Sequence, residues 1–455
     1  MKKIHFIGIG GIGMSGLADI ALSEGNIVTG SDLRPNDLTG KLSGRGAVIF
    51  KGHSADNFPR ETDLVVRSTC IKDDNPEIIR AKELRVPVIS RGERLRRTMG
   101  KYGFSLAVTG THGKTTTSAL IAHIAEDCGK DPTVIVGGEM ESFGGNAKFG
   151  RGNVIVVEVD ESDGFFRNIS STCACVTNIE REHMEYYGSM EDLMDAYTEF
   201  AGRISQAGMF VYNGEDPALN AVARRTSAGK IDFGMDGDFC VTCRNVSYSR
   251  SIEFDLVVNG KVHGRVLSPL IGRYNVMNVL GAVAACTGAG FDPERILEAV
   301  RSFRGVRRRF DTVGNAGNIR VIEDYAHHPT ELRSVIDAAR DYGPGRVVVV
   351  FQPHRYSRTR DLLTGFSECF YGSDALILTG IYSADEEVIG DIGIADIYRA
   401  IDRKKFDLVE IVEKEEIPGF VSGIVKENDM VLVLGAGDIS ELAAPILEAI
   451  SKPGS

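Results

Sequence analysis

The 455-residue chain has no excess of basic residues: 52 Lys and Arg stand against 63 Asp and Glu, a formal net charge of -11. That balance excludes a general electrostatic grip on nucleic acid and leaves only anions bound by local groups. Long apolar runs are missing as well. The stretch between Arg273 and Asp292 carries no charge, yet it holds Asn275, Asn278, Gly281, Gly288 and Gly290, which suits a buried helix and not a membrane span. Met1-Lys2-Lys3 leads into a short strand-like run and then glycines, without the apolar core of a secretory signal. The expectation is a cytoplasmic, soluble protein with no membrane or nucleic-acid partner. The eight cysteines lack the spacing of a disulfide framework, and Cys240-Val-Thr-Cys243 has no second pair of ligands to complete a zinc site. There is no short-period repeat and no low-complexity tract.

What is present is ordinary globular composition, 43% hydrophobic and 25% charged, with 52 glycines mostly at the ends of apolar runs. A length of this size corresponds to about three domains at ~150 residues each. Ile4 to Gly8, Asn26 to Thr29, Ala47 to Phe50, Asp63 to Arg67 and Pro87 to Ile89 are β-rich and alternate with helical patterns, the signature of a parallel sheet with helices on its faces. After the polar stretch 98–103 a second series runs through Ser105 to Thr109, Thr133 to Val136, Asn153 to Val159 and Cys173 to Asn178. From Phe239 to Leu270 polar and apolar residues alternate around Asn259-Gly260, a hairpin signal. The basic run Arg304 to Phe310 and the loop Gly314 to Gly317 read as a linker. A third series follows in Ile319 to Tyr325, Arg346 to Gln352, Ala375 to Thr379 and Asp429 to Gly435. The reading is therefore an α/β protein of three domains. These are an N-terminal Rossmann-like parallel sheet (1–100), a central P-loop ATPase-type α/β domain with a small β subregion (101–312), and a C-terminal Rossmann-like domain (313–455).

Two glycine loops carry phosphate chemistry. Gly8-Ile-Gly10-Gly11-Ile12-Gly13 follows the first strand and opens a helix, so its backbone N–H groups can approach a diphosphate; Asp32 follows the second strand, where an acid meets a ribose. NAD or another nucleotide diphosphate would fit, as would a tight turn with no ligand. Thr109-Gly110-Thr111-His112-Gly113-Lys114-Thr115-Thr116 is a compact variant of the triphosphate loop, lacking a glycine six positions before Lys114. Lys114 would reach the β- and γ-phosphates and a hydroxyl would hold Mg2+.

The apolar strand Val154 to Glu158 ends in the acidic run Glu158 to Asp163, and Glu158 is a reasonable hard-oxygen ligand for Mg2+. Asn178 and His183 follow the next strand. In the third series Asp324-Tyr325-Ala-His327-His328-Pro329 and His354-Arg355-Tyr-Ser-Arg358 follow neighbouring strands, where guanidinium groups suit a carboxylate or phosphate. A solvated acidic or basic loop is the alternative in each case. A nicotinamide-dependent oxidoreductase would use the first loop and leave Lys114 idle; a P-loop switch protein would use the second loop without the His- and Arg-rich third series.

Taken together these pieces resemble the Mur ligase family. The Gly8 to Gly16 loop, Thr109 to Thr117, Glu158 to Asp163, Asn178 to His183, Gly272 to Asn278, Arg307 to Phe310, Asp324 to Glu331 and Gln352 to Arg360 occur in the family's order along nearly the whole chain. The loop through Gly16 and the His-His-Pro-Thr-Glu run point to the alanine-adding branch. Tyr274 stands where a His is common, and Glu182 and Glu185 replace the usual Asp residues.

The resemblance implies an ATP-dependent ligase with Mg2+ (or Mn2+) as cofactor, ATP as co-substrate, and UDP-N-acetylmuramate and L-alanine as partners, acting as a monomer or weak dimer. By that resemblance Gly10, Gly11, Ile12, Gly13, Asp32, Ser68 and Thr69 face the UDP-sugar. Gly110, Thr111, His112, Gly113, Lys114, Thr115, Thr116, Asn178, Asn275, Asn278, Arg309 and Asp324 bind ATP. Thr115, Glu158 and His183 serve the metal, and Tyr325, His327, His354, Arg355 and Arg358 line the amino-acid end. Lys114, Arg309 and His327 would act in the reaction, His327 as the base for the amine.

Overall fold

The computed structural model describes residues 1–343, 345–384, 386–390 and 392–452, so the last three residues of the expected third domain lie outside it. Chain contacts divide it into two units: residues 1–244, 255–266 and 277–303 form one, and residues 245–254, 267–276 and 304–455 the other.

The first unit begins with five parallel strands, β1 (Lys3–Ile7), β2 (Ile27–Asp32), β3 (Val48–Lys51), β4 (Leu64–Arg67) and β5 (Val88–Ser90), in the order β3-β2-β1-β4-β5. The chain winds outward in both directions from β1, so the strand order reverses between β1 and β4. Such a reversal opens a crevice at the carboxyl ends of those strands. Gly8 and Ser68, the residues that follow β1 and β4, stand at its two sides: a Cβ on Gly8 would lie 3.0 Å from that of Ser68.

A larger sheet follows, built from β6 (Phe104–Thr109), β7 (Thr133–Met140), β8 (Gly145–Lys148), β9 (Val154–Glu158), β10 (Ser171–Val176), β11 (Ile204–Asn213), β12 (Gly229–Phe233), β13 (Val241–Ser247), β14 (Ile252–Val258) and β15 (Lys261–Ser268). Its order is β15-β14-β13-β12-β11-β10-β6-β9-β7-β8. Leu106 to Val108, Ile155 to Val157 and Cys173 to Val176 are buried without alternation, as expected of parallel strands covered on both faces. The Asn259-Gly260 turn joins β14 to β15 with both residues at positive φ, 49° and 77°, a backbone that this residue pair tolerates and most others do not. The helix Ile12–Ser23 packs on β7 and β8: a Cβ on Gly16 would lie 3.3 Å from Ile135, and Asn146 donates to the carbonyl of Ile12 at 2.6 Å.

The second unit holds β16 (Asp311–Ala316), β17 (Ile319–Asp324), β18 (Val347–Phe351), β19 (Ala375–Leu378), β20 (Leu408–Ile411) and β21 (Met430–Leu434), in the order β16-β17-β21-β18-β19-β20. Only β16 runs antiparallel. Here the linker reading is corrected. Gly314 lies inside β16, and only Gly317, with φ 60°, and Asn318 form the turn back into β17. The strand has few apolar residues, so its pairing with β17 defines it and composition does not. Among the described residues no helix is long and apolar enough to cross a membrane.

Candidate functional site

In the first unit the two glycine loops start helices of one kind. Ile12–Ser23 begins after Gly11 and Lys114–Asp127 after Gly113, and neither has a capping side chain or an acid in its first turn. Elsewhere in this unit Asn36, Ser90, Ser189 and Asp216 cap their helices. A helix start with no side chain spent on its N–H groups, and no carboxylate to compete, is suited to an anionic ligand.

The first loop is braced from two sides. Gly10 donates to Asp32 Oδ2 at 2.8 Å, Arg34 donates to Asp32 Oδ1 at 3.0 Å, and Asn36 Nδ2 reaches the Gly10 carbonyl at 3.1 Å. Asp32 therefore holds the loop through Oδ2, while Oδ1 is held by the backbone just after β2. Ser68 and Thr69 line a cavity of about 450 Å³ together with Ser90, Asp163, Glu185 and Tyr186.

The second loop sits at the carboxyl end of β6, between the ends of β9 and β10. Asn178, just past β10, grips it: its Oδ1 accepts from His112 N at 2.9 Å, its Nδ2 donates to His112 O at 3.0 Å, and its own carbonyl accepts from Thr111 N at 3.0 Å. Thr177 adds a hydroxyl donated to His112 O at 2.5 Å, and Glu180 N donates to Thr111 Oγ1 at 2.8 Å. The fit leaves no space for side chains. A Cβ on Gly110 would lie 2.2 Å from Thr177 Oγ1, and one on Gly113, where φ is 77°, would lie 2.3 Å from Asn278 Oδ1. Asn278 also accepts from Thr117 Oγ1 at 3.4 Å. Thr115 and Thr116 are buried in the first turn.

Lys114 folds back over its own loop, donating to the carbonyls of Gly110 at 2.5 Å and Thr111 at 3.1 Å and to Glu161 Oε1 at 2.8 Å. Burial works against its positive charge, but Glu161, Asp160 and Glu158 together outweigh that and hold the ammonium above the ordinary lysine range. Burial lifts the Glu161 carboxyl, with Lys114 opposing and Asp160 reinforcing the shift. Asp160 goes the other way: burial raises it, and Arg91 and Lys114 more than reverse that. His183 lies 4.0 Å from Glu161 Oε1 and 3.7 Å from Glu185. Burial disfavours its cation, but Glu185, Glu161, Glu182 and Asp160 raise its pKa overall.

Glu158 Oε2 accepts from Gly137 N at 2.8 Å, and a Cβ on Gly137 would fall 2.3 Å from Glu158 Oε1. The expected metal residues thus flank the Lys114–Glu161 pair: the Glu158 charge acts on Lys114, and His183 lies beside Glu161. Glu161 is 2% exposed and its Oε2 has no hydrogen-bond partner among the described residues. A buried, orphaned carboxylate oxygen among hard-oxygen groups fits a divalent cation.

The second unit gathers Arg309, Asp324 and the amino-acid candidates at the carboxyl ends of β17, β21 and β18. Asp324 Oδ2 accepts from Phe310 N at 2.6 Å and Oδ1 from Ala326 N at 2.7 Å. Burial raises its pKa to about 6 despite Arg309 and those two donors. The guanidinium carbons of Arg308 and Arg309 stand 5.0 and 5.1 Å from the Tyr325 ring centre. His327 Nδ1 lies 2.9 Å from the Tyr325 carbonyl, which fixes the proton on Nδ1 and puts the basic lone pair on Nε2.

His327 meets His354 at a ring separation of 6.0 Å, and His354 stacks on Tyr382 at 5.5 Å. His354 is pushed down to about 2 by burial and by His327, Arg358 and Arg355. Arg358 Nη1 reaches the His354 carbonyl at 3.3 Å. Arg355 has a φ of 72° and donates its N–H to Tyr382 O at 2.8 Å, so the Arg355 backbone is held in a strained left-handed conformation by the strand-end contact. Asn275 donates to Ile271 O at 2.8 Å within this unit. The expected ATP residues therefore divide: Gly110 to Thr116, Asn178 and Asn278 lie in the first unit, and Asn275, Arg309 and Asp324 in the second.

Sequence reasoning missed Glu161, Gly137 and Tyr382 as participants. A run of four acids does not reveal which one faces the lysine, and Tyr382 reaches His354 only because β18 and β19 are neighbours.

Comparison with known proteins gives a consistent result. Residues 3–102 match the Mur ligase family catalytic domain, 108–286 the Mur ligase middle domain and 308–437 the Mur ligase glutamate ligase domain. The chain is 39% identical to UDP-N-acetylmuramate–L-alanine ligase of Trichlorobacter lovleyi, covering 99% of both chains, and 38% identical to the enzyme of that name from Anaeromyxobacter dehalogenans, covering 99% of this chain and 98% of the other. Among solved structures, UDP-N-acetylmuramate-alanine ligase of Thermotoga maritima superposes with a TM-score of 0.85 at 34% identity over 98% of this chain and 99% of that one. A murein peptide ligase from Psychrobacter arcticus, 20% identical and fully covered on both sides with a TM-score of 0.75, shares the fold. With two uncapped glycine-loop helices in one unit, a lysine held among buried acids, and relatives matched from end to end, the chain belongs to the Mur ligase family.

Proposed function

We propose that this chain is an ATP-dependent amide-bond-forming ligase that joins L-alanine to the lactyl carboxylate of UDP-N-acetylmuramate, giving ADP and phosphate, in peptidoglycan precursor synthesis. The observation that carries this reading is the end-to-end match with relatives named UDP-N-acetylmuramate–L-alanine ligase, supported by a glycine loop that runs into an uncapped helix start at Lys114.

A carboxylate does not condense with an amine at neutral pH because its leaving group is poor. Transfer of the γ-phosphoryl group from ATP to the lactyl carboxylate gives an acyl phosphate, and the amine of L-alanine then displaces phosphate through a tetrahedral intermediate. Lys114 neutralises charge on the transferring group, as does Arg309. Thr115, Glu158 and His183, with Glu161 next to His183, would hold Mg2+, which when bound adds positive charge at the phosphates.

The Gly10 to Gly13 loop, Ser68 and Thr69 hold the UDP-sugar, and Asp32 holds the loop. Arg355 and Arg358 suit the carboxylate of the amino acid, and Nε2 of His327 would take the ammonium proton. The division into residues 1–100, 101–312 and 313–455 then gives the acceptor, ATP and amino-acid parts, with Asp324 turned to ATP from the third. The test is phosphate release from ATP with UDP-N-acetylmuramate and L-alanine, glycine or L-serine, with product mass measured. L-alanine should give the fastest release and an amide product; ATP turnover without amide would reject the reading.

A further inference from the structure

At the amino ends of β17, β18 and β21 the second unit holds a cavity of about 790 Å³. Arg320 pairs with Met430 across β17 and β21 at this end, and Arg346 directly precedes β18. Asp324 lies at the other end of β17, roughly 13 Å from Arg320 at about 3.3 Å per residue. The cavity is therefore distinct from the cluster at the carboxyl ends, where such sheets hold their substrates. Its charge is opposite to that of the chain. Arg250, Arg320, Arg346 and Lys426 line it against Glu427 and Asp429, whereas the whole protein carries -11. Asp429 is taken by Arg346 Nη2 at 2.7 Å, and Glu427 accepts from Asn318 Nδ2 at 3.0 Å. That leaves Arg250, Arg320 and Lys426 without a carboxylate in ion-pair range among the described residues. Arg320 spends only Nε, on Asn315 Oδ1 at 3.2 Å. Its guanidinium carbon stands 4.4 Å from the centre of the Tyr342 ring, and that of Arg250 stands 5.9 Å from the same ring. Two guanidinium groups gathered at one ring repel each other until an anion joins them. Tyr342 ends the helix Pro329–Tyr342, whose carbonyl end opposes an anion by about half a charge; three unneutralised cations outweigh it. The cavity is within the range of small-molecule sites, about 300–1,000 Å³, and is larger than a bare phosphate fills.

We propose that this cavity is a second ligand site, separate from the catalytic residues, that takes a small phosphate monoester with its phosphate on Arg320, Arg250 and Lys426. A phosphate ester offers a dianion whose oxygens suit two guanidinium forks and an ammonium, while the rest of the molecule fills the space a bare phosphate leaves. The inference stands apart from the functional reading above, because none of its residues belongs to the reaction.

The experiment is calorimetric titration of the full chain with uridine monophosphate, ribose 5-phosphate and inorganic phosphate. Excess UDP-N-acetylmuramate, Mg2+ and a non-hydrolysable ATP analogue are present to occupy the glycine loops. Both esters should bind at one site, at least about tenfold more tightly than inorganic phosphate, and R320A and K426A should each weaken them about tenfold. R320K keeps the charge without the fork and should lose about fivefold. Turnover of these variants without added ester should stay within about twofold of wild type, since no reacting group is touched. Arg250 and Lys426 are exposed, so K426A and R250E decide the matter should R320A fail to fold. Uridine monophosphate binding more tightly than ribose 5-phosphate assigns the site to nucleotides, and equal affinity assigns it to sugar phosphates. Wild type that binds neither ester, ester binding unchanged in R320A and K426A, or inorganic phosphate bound as tightly as the esters would overturn the proposal.

Discussion

Asn178 closes both ends of its amide on the main chain of one residue, His112, accepting at 2.9 Å and donating at 3.0 Å. The phosphate loop is thereby shaped from the neighbouring strand before any ligand arrives. Asn178→Asp keeps the acceptor and turns the donor into a second acceptor facing the His112 carbonyl. Steady-state kinetics should show KM for ATP raised about tenfold or more, with KM for L-alanine little changed. An unchanged ATP requirement would mean that the clamp does not shape the loop.

Gly137→Ala places a methyl group against the Glu158 carboxylate, 2.3 Å from Oε1, at a position whose backbone is otherwise ordinary. Displacing that carboxylate should raise the Mg2+ concentration for half-maximal activity by about tenfold, the scale on which disturbed supporting groups weaken a metal site. A magnesium titration at saturating ATP checks this, and a curve coincident with wild type would remove Glu158 from the metal's surroundings.

Arg355→Ala should raise KM for L-alanine by about tenfold or more while KM for ATP stays within about twofold, because a carboxylate loses its bidentate partner. A selective effect on ATP would reassign the cluster that follows β18.

His354 is neutral in the fold because its pKa is pushed down to about 2, from an ordinary value of 6.5. For a depressed folded pKa the stabilisation is full above pH 6.5, the unfolded value, and is lost as the pH falls below it. The slope approaches 1.4 kcal/mol per pH unit, an upper bound of about that size for one proton. His354→Gln should flatten the fall in thermal stability of the whole chain between pH 6.5 and 5; an identical slope in wild type and variant would show that His354 charges freely in the fold.

The glycine loops, Lys114, Glu158 and Asn178 were legible because each stands at a strand end, where an apolar run stops and turn residues begin. The partners that set their chemistry were not. Glu161 and Asp160 differ in sequence by one position, yet one faces Lys114 at 2.8 Å and the other faces Arg91 at 2.9 Å, an alternation decided by the loop after β9. Asp32 was read as a ribose contact from its place after β2; that it also accepts from Gly10 N and Arg34 N was not legible. Gly314 to Gly317 was taken for part of a linker because its glycine and asparagine residues look like turn punctuation, whereas Gly314 to Ala316 end the strand Asp311–Ala316, which only pairing with β17 defines.

The central claim is that the terminal phosphoryl group of ATP passes to a carboxylate. UDP-N-acetylmuramate labelled with ¹⁸O in its lactyl carboxylate, turned over with ATP and L-alanine, tests it directly by mass spectrometry of the released phosphate. One labelled oxygen per phosphate is expected, and Lys114→Ala should lower the rate of its release by about 10²-fold or more. Unlabelled phosphate accompanying amide product from the wild-type chain would contradict the account.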